Sequence, residues 1–354
     1  MLELLAPAGS MEALRAAVQN GADAVYLGCG AFNARQSAKN FTPQTLVDAI
    51  KYCHVRGVQV HLTLNTLVSD REMTEAAELI RYAAQNNIDA FIVQDLGVVQ
   101  LCRQIAPGVP IHGSTQMTVH SLPGVLLCAA MGIKRVVLSR ELSREEIRYI
   151  CANSPIEIEV FVHGALCMCY SGQCTMSALI GQRSGNRGAC AQPCRLPYGV
   201  NGPCKNQFPL SLKDANLSAY LQELGDMGVA CLKLEGRMKR PEYVAVITSI
   251  YRRLIDEKRG PTAAESQALE QAFSRSGFTD GYYTGNVGRG MLGVRSDADK
   301  EKSRAVAPFG GLTRRIPLAV GVRMVAGEPV TLTLSDGTHS VTVAGDIPQA
   351  ARTV

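Results

Sequence analysis

Short apolar runs alternate with amphipathic segments along the first two thirds of this chain, and no other feature restricts its fold as much. The runs are Leu2–Leu5, Ala24–Leu27, Val58–Leu64, Ala90–Val93, Val109–Ile111, Arg135–Leu138, Ile156–Phe161 and Ala230–Leu234. Each is too short for a buried helix and reads as a strand covered on both faces. The segments between them have helical spacing. Met11–Gln19 carries Met11, Leu14, Ala17 and Val18 on one face. Pro43–Tyr52 opens with Thr42 as N-cap and Pro43 in the first helical position. Glu72–Gln85 places Met73, Ala76, Leu79, Ile80 and Ala83 on one stripe, and Ser143–Ile150 starts with the S-x-x-E capping box of Ser143 and Glu146. A last helical segment, Glu242–Glu257, follows the eighth run. Eight strand–helix units predict a (β/α)8 TIM-like barrel over residues 1–260, with an open doubly wound α/β sheet as the alternative.

The spacing between strand starts is roughly 20 to 35 residues, except for about 70 between the seventh and eighth. The excess predicts an insertion, residues 163–230, at the mouth of the barrel. It opens with the stretch Glu159–Ser177 (EVFVHGALCMCYSGQCTMS), and seven of the chain's 12 cysteines lie in or just after it: Cys167, Cys169, Cys174, Cys190, Cys194, Cys204 and Cys231. Thiols grouped this way among glycines point to a metal or cluster site. The first choice of ligands is Cys167, Cys174, Cys190 and Cys231, in the pattern C-x6-C-x15-C with a distant fourth; Cys194 and Cys169 are alternatives for one position each. That pattern is neither a zinc ribbon nor a ferredoxin run. A four-thiolate iron–sulfur cluster, [4Fe-4S], fits best, with structural Zn or merely buried, reactive thiols as the other readings. The remaining cysteines, Cys29, Cys53, Cys102, Cys128 and Cys151, fall on apolar faces and read as small core residues.

Barrel enzymes hold their chemistry at the C-terminal ends of the strands. Those ends carry a polar set here. His163, Glu235 and Arg237 are the candidate catalytic residues. Asn65, His112, Gln116, Arg140, Arg183 and Lys233 are the candidates for substrate binding. The bland reading of each is a loop-stabilising polar residue, and of Glu235 beside Arg237 an internal ion pair. Together they describe a pocket for a small, oxygen-rich anion, since guanidinium groups take carboxylate or phosphate in bidentate fashion.

Residues 261–304 read as a helical and loop linker. Residues 305–354 alternate apolar and polar, with turn signals at Gly327–Pro329 and Asp336–Gly337, and predict the start of a small C-terminal β module that is cut short. The chain has 354 residues, 46% of them hydrophobic, enough for a sizeable core. No run approaches the 18 or so apolar residues of a membrane span. The start shows no basic segment followed by an apolar one. These features give the expectation of a cytoplasmic protein with reduced thiols and no membrane partner. The net charge of +5 permits a nucleic-acid partner without requiring one.

The signature Glu159–Ser177, together with LLAPAG at Leu4–Gly9, DAVYLG at Asp23–Gly28 and LKLEGRMK at Leu232–Lys239, resembles the collagenase-like peptidases of peptidase family U32. The resemblance covers about Met1 to Arg289. The family's name implies proteolysis, yet there is no G-x-S-x-G elbow and no HExxH; a thiol paired with His163 is the only nucleophile–base pair on offer. The better understood members imply something else: oxygen-independent hydroxylation of a base in transfer or ribosomal RNA, or of a quinone precursor, with an iron–sulfur cluster and prephenate as hydroxyl donor. The tail Arg314–Val343 resembles the extra domain of the type that hydroxylates a 23S ribosomal RNA cytidine. By this resemblance Cys167, Cys174, Cys190 and Cys231 are the ligands, and the arginines and strand-end residues hold prephenate's carboxylates. Cys169 is an additional thiol inside the signature.

Overall fold

The computed structural model describes residues 2–36, 38–199, 207–307, 314 and 316–349. Seven strands come first: β1 (Glu3–Pro7), β2 (Ala24–Leu27), β3 (Gln59–Leu64), β4 (Ala90–Val93), β5 (Ile111–Gly113), β6 (Arg135–Val137) and β7 (Glu157–Ala165). Then follow β8 (Asp214–Asn216), β9 (Cys231–Leu234) and β10 (Phe278–Thr279). The hydrogen-bonding order β7-β6-β5-β4-β3-β2-β1-β9 is parallel throughout, and β9 pairs with β7, so eight strands close a barrel. The register at the closing seam sets Glu159 opposite Cys231 and Leu5 opposite Lys233. The expected TIM-like barrel is the fold, and the eighth barrel strand is β9.

Local chemistry explains the helices. Ser10 Oγ accepts from Ala13 N at 3.2 Å and starts Met11–Gln19. Thr42 caps Pro43–His54 through Thr45. Ser143 and Glu146 form the capping box of Arg144–Asn153, with Ser143 N donating to Glu146 Oε2 at 2.7 Å. Each such cap stabilises its helix by about 1 kcal/mol. Met11–Gln19 and Pro241–Asp256 pack against each other and bury Leu14, Val18, Ile247 and Leu254 completely. Most of the apolar core therefore lies between barrel and helices; a second, smaller cluster of Leu5, Ala24, Tyr26, Ile92 and Cys231 fills the barrel itself.

Two segments depart from expectation. β7 continues past Phe161 to Ala165, because β8, coming from the insertion, pairs antiparallel with its end and sets Asn216 opposite His163. His163 therefore lies within a strand, not after one. Phe278–Gly290 reads as loop, yet Phe278–Thr279 pairs with β8 as β10 and Gly281–Thr284 makes a helical turn. Strands of two and three residues need a neighbour to form and leave no periodic trace.

β11 (Ala319–Arg323), β12 (Thr331–Ser335) and β13 (Ser340–Ala344) form a separate antiparallel meander. Gly327 (φ 83°) and Gly337 (φ 92°) occupy left-handed positions at its turns. Arg314 ties the chain before it to the barrel, donating from its backbone to Gln19 Oε1 and from its guanidinium to the Ala22 carbonyl, both at 2.6 Å. Among the described residues no helix is long and apolar enough to cross a membrane.

Candidate active site at the barrel mouth

The floor of the barrel is a buried charge network. Arg135 opens β6 and meets Glu3 of β1 through two bonds of 2.8 and 2.9 Å, and Glu157 of β7 at 2.8 Å. Lys233 of β9 donates to Glu159 at 2.7 Å and stands 4.5 Å over the Tyr26 ring. His61 and His112 meet edge to face at 4.9 Å. Burial drives His61 down to about 4 and His112 well below its usual range, so both are neutral. Lys233 and His112, expected to bind substrate, thus belong to the barrel interior. Lys233 is consumed by Glu159, a fully buried carboxylate whose other cation, Arg135, stands farther off at 3.5 Å.

At the opposite end, the loops after β2, β6 and β9 bring three guanidinium groups together. Arg35 bonds Glu235 at 2.7 Å. Arg237 donates to Thr63 Oγ1 at 2.9 Å and Asn33 Oδ1 at 3.3 Å. Arg140 lies 3.9 Å over the Phe161 ring, donates to the Ala165 carbonyl at 2.5 Å, and keeps a buried Nε without a partner. Burial would raise the Glu235 carboxyl, but Arg35, Arg140 and Lys239 outweigh it and hold it at about 2. Glu235 is therefore a fixed anion that accepts hydrogen bonds and does not donate a proton at neutral pH. Burial, and then Arg35, push Arg237 down to about 10, as expected of a cation with no carboxylate of its own. The backbone fixes this arrangement: a Cβ on Gly9 would lie 1.7 Å from the Arg237 carbonyl oxygen.

The other expected residues play different parts. Asn65 Oδ1 accepts from Ala34 N at 3.0 Å and its amide reaches Ser114 at 3.4 Å, so it shapes the loop that carries Arg35. Gln116 is half-buried in a short 3-10 turn, and its carbonyl lies under Gly172. Arg183 is exposed and donates to the Ala189 carbonyl at 3.0 Å within the insertion. His163 stands 3.2 Å from Tyr251 Oη and is ringed by Tyr243, Tyr251 and Phe278, while its Nε2 is buried without a partner. Burial pushes it down to about 3, so it is neutral and no proton donor at physiological pH. With Arg140, Phe161 and Tyr282 it lines a cavity of about 30 Å³, the size of one water. Sequence reasoning reaches Asn33 and Arg35 only within the polar stretch Gly28–Arg35 after the second strand, without a role for either, and it misses Tyr26, which lies inside β2.

The insertion covers this mouth and is held to three barrel loops. Arg187 pairs with Glu72 at 2.5 Å, and Leu67 N donates to the Asn186 carbonyl at 3.0 Å. Gln36 N donates to the Gly188 carbonyl at 3.3 Å, and Thr118 Oγ1 to that of Ser171 at 2.7 Å. Arg195 donates to the carbonyls of Leu166 and Leu212 and anchors the turn that carries Cys194. Burial raises the Cys194 thiol, and charge on Cys167, Cys190 and Cys174 adds to this, so the four share one neighbourhood. Cys169 feels Cys174 and Cys167 in the same way. Cys190 Sγ accepts from Gln192 N at 3.3 Å, the kind of backbone donor that cluster thiolates use. Cys167 acts on Arg35 and connects the thiols to the mouth.

Cys231 is not among them. It is fully buried inside the barrel, packed with Leu5, Ala24, Tyr26 and Ile92 and set opposite Glu159 and Glu3, and not in the insertion. The fourth thiol near Cys167, Cys174 and Cys190 is Cys194, carried by the Gln192–Arg195 turn. Cys204 lies outside the described residues. Among the described residues no three Cys, His, Asp or Glu side chains converge on a point that would hold a single metal ion.

A family profile described as Peptidase family U32 matches residues 9–292. Among curated proteins, the chain is similar to "tRNA hydroxylation protein P1" of Bacillus subtilis, 37% identical over 72% of this chain and 63% of that one. It is similar to "23S rRNA 5-hydroxycytidine C2501 synthase" of Escherichia coli, 38% identical over 83% of this chain and 46% of that one. It is also similar to "Collagenase" of Porphyromonas gingivalis, 35% identical over 80% of this chain and 73% of that one. The chain therefore spans about half to two thirds of the length of the first two relatives.

Proposed function

The chain belongs to peptidase family U32, and from that premise we propose that it is an RNA-modifying enzyme: an oxygen-independent hydroxylase of an RNA base, a ribosomal RNA cytidine being the favoured target. The names of the relatives from Bacillus subtilis and Escherichia coli support RNA hydroxylation as the reaction class. One observation carries the reading for this chain: Arg35, Arg140 and Arg237 gather around the buried Glu235, with Glu141 beside Arg140, next to the thiols of the insertion. A mouth with that excess of positive charge suits a dianionic donor, and prephenate, with two carboxylates, has the right chemistry. Cys167, Cys174, Cys190 and Cys194 would hold a [4Fe-4S] cluster, which when bound supplies an electron-transfer centre. The chain's own residues do the rest. Arg237 and Arg140 orient the donor's carboxylates, Glu235 holds Arg35 in place, and the insertion shields the mouth from water. A target base must be out of its stack to reach such a site.

The collagenase name favours a peptidase. That reading needs an activated nucleophile, and the ring of His163 is bonded to Tyr251 rather than to a thiol. The test is nucleoside mass spectrometry of ribosomal and transfer RNA from cells with and without this protein. Loss of a hydroxylated pyrimidine, restored by the wild type and not by Arg237→Ala, is the expected result. Unchanged nucleosides combined with gelatin cleavage by the pure protein would overturn the proposal in favour of the peptidase.

A further inference from the structure

A second cavity, of about 380 Å³, opens beside the start of helix Pro241–Asp256, outside the barrel mouth. Its walls carry Lys239, Arg240, Arg295, Lys300 and Arg304 around the ring of Phe273, with Glu242 as the one carboxylate. Arg240 is paired with Glu242 at 3.1 Å and Lys300 with Asp297 at 2.7 Å. Among the described residues, Lys239, Arg295 and Arg304 have no carboxylate within ion-pair distance. Lys239 Nζ stands 2.9 Å from the centre of the Phe273 ring, and the Arg295 guanidinium lies 4.2 Å from it. Arg295 Nε is buried with no hydrogen-bond partner. A third cation at that ring, Arg275, is taken by Asp214 at 2.5 Å.

Among the described lining residues five cations face one carboxylate, Glu242, while Asp214 and Asp299 act on Lys239 and Arg295 from outside the lining. Burial pushes the Lys239 ammonium down to about 7, with Asp214 and Glu235 opposing the fall and Arg275 and Arg295 adding to it. Glu242, the carboxylate among the described lining residues, is already taken by Arg240. The unpartnered donors fan over a space much larger than a water molecule, which suits a tetrahedral oxyanion.

We propose that this cavity binds a phosphate group, supplied by the backbone of the RNA strand whose base enters the barrel mouth. The source rests on the RNA reading above; the anion site rests on the cavity alone. The cavity adjoins the mouth through Tyr243, which lines it and donates to the Glu235 carbonyl at 3.0 Å. A phosphate held there would set the register of the strand without reading its sequence.

The test measures binding of a single-stranded oligoribonucleotide and, separately, of inorganic phosphate to wild type, Arg295→Gln and Arg304→Gln. Arg304 is on an exposed helix, so its loss leaves the barrel intact. Both variants are expected to bind RNA several-fold more weakly, with the slope of log affinity against log salt smaller by about 0.7, and to lose phosphate binding. Lost phosphate binding with unchanged RNA affinity would keep the anion site, overturn the backbone assignment and point to a small phosphorylated molecule. A wild type that binds no RNA, while phosphate binding is lost in the variants, would sink the RNA reading and leave the site standing. Variants equal to wild type in both assays would overturn the site.

Discussion

Burial decides the role of single residues here more than residue type does. His163 was a natural candidate for acid–base chemistry, but its surroundings hold it neutral. Its folded value of about 3 lies below the unfolded value of 6.5, so unfolding takes up a proton. The stability it contributes is fully present above pH 6.5 and is lost as pH falls toward 3. His61, at about 4, acts in the same direction. Between about pH 4 and 6 each such histidine adds about 1.4 kcal/mol per pH unit to the slope of stability against pH. His163→Phe, which keeps a flat ring among Tyr243, Tyr251 and Phe278, is expected to reduce that slope by one histidine's share. Denaturant titrations at a series of pH values check it, and an unchanged slope would mean that His163 is protonated in the fold. The same physics reassigned Cys231. From sequence it is one cysteine among seven, and only the inward face of β9 reveals that it belongs to the barrel core.

At the scale of elements, the insertion is the part that makes this barrel specific, and its attachment depends on a few close backbone approaches. Gly172 has φ 85°, and a Cβ there would lie 2.2 Å from the Gln116 carbonyl oxygen and 2.9 Å from Thr118 Oγ1. Gly172→Ala is expected to cost about 1–3 kcal/mol and to loosen the insertion over the loop after β5. Hydrogen exchange should show faster amides in 166–195 with the barrel strands unchanged; protection equal to wild type would refute the attachment. The strand–helix repeat made the barrel readable because each unit carries its own caps and stripes, as Thr42 and Ser143 show. β8 and β10 could not be read: Asp214–Asn216 and Phe278–Thr279 have no periodicity and exist only as partners of β7 and of one another. The mouth was half legible for a related reason. Arg140, Glu235 and Arg237 lie at strand ends, whereas Arg35 is placed by a loop whose path depends on Asn33, Asn65 and Gly188.

For the whole molecule, closure of the barrel brings β1, β6, β7 and β9 around one buried network, and Glu159 is its common acceptor. Glu159 is fully buried, 2.7 Å from Lys233 and 3.5 Å from Arg135. Glu159→Gln leaves both cations short of a partner and is expected to destabilise the fold by roughly 3–5 kcal/mol, read as a lower denaturation midpoint. A change below 1 kcal/mol would show that Glu3 and Glu157 suffice. Above this floor the barrel presents guanidinium groups, and above those the insertion presents thiols, the arrangement on which the proposed donor and cluster sites rest. The most direct test is iron and acid-labile sulfide per chain in anaerobically purified wild type, Cys194→Ala and Cys231→Ala. About four of each in the wild type, lost in Cys194→Ala and retained in Cys231→Ala, is the expected result. A wild type free of iron, or iron that depends on Cys231 and not on Cys194, would contradict it.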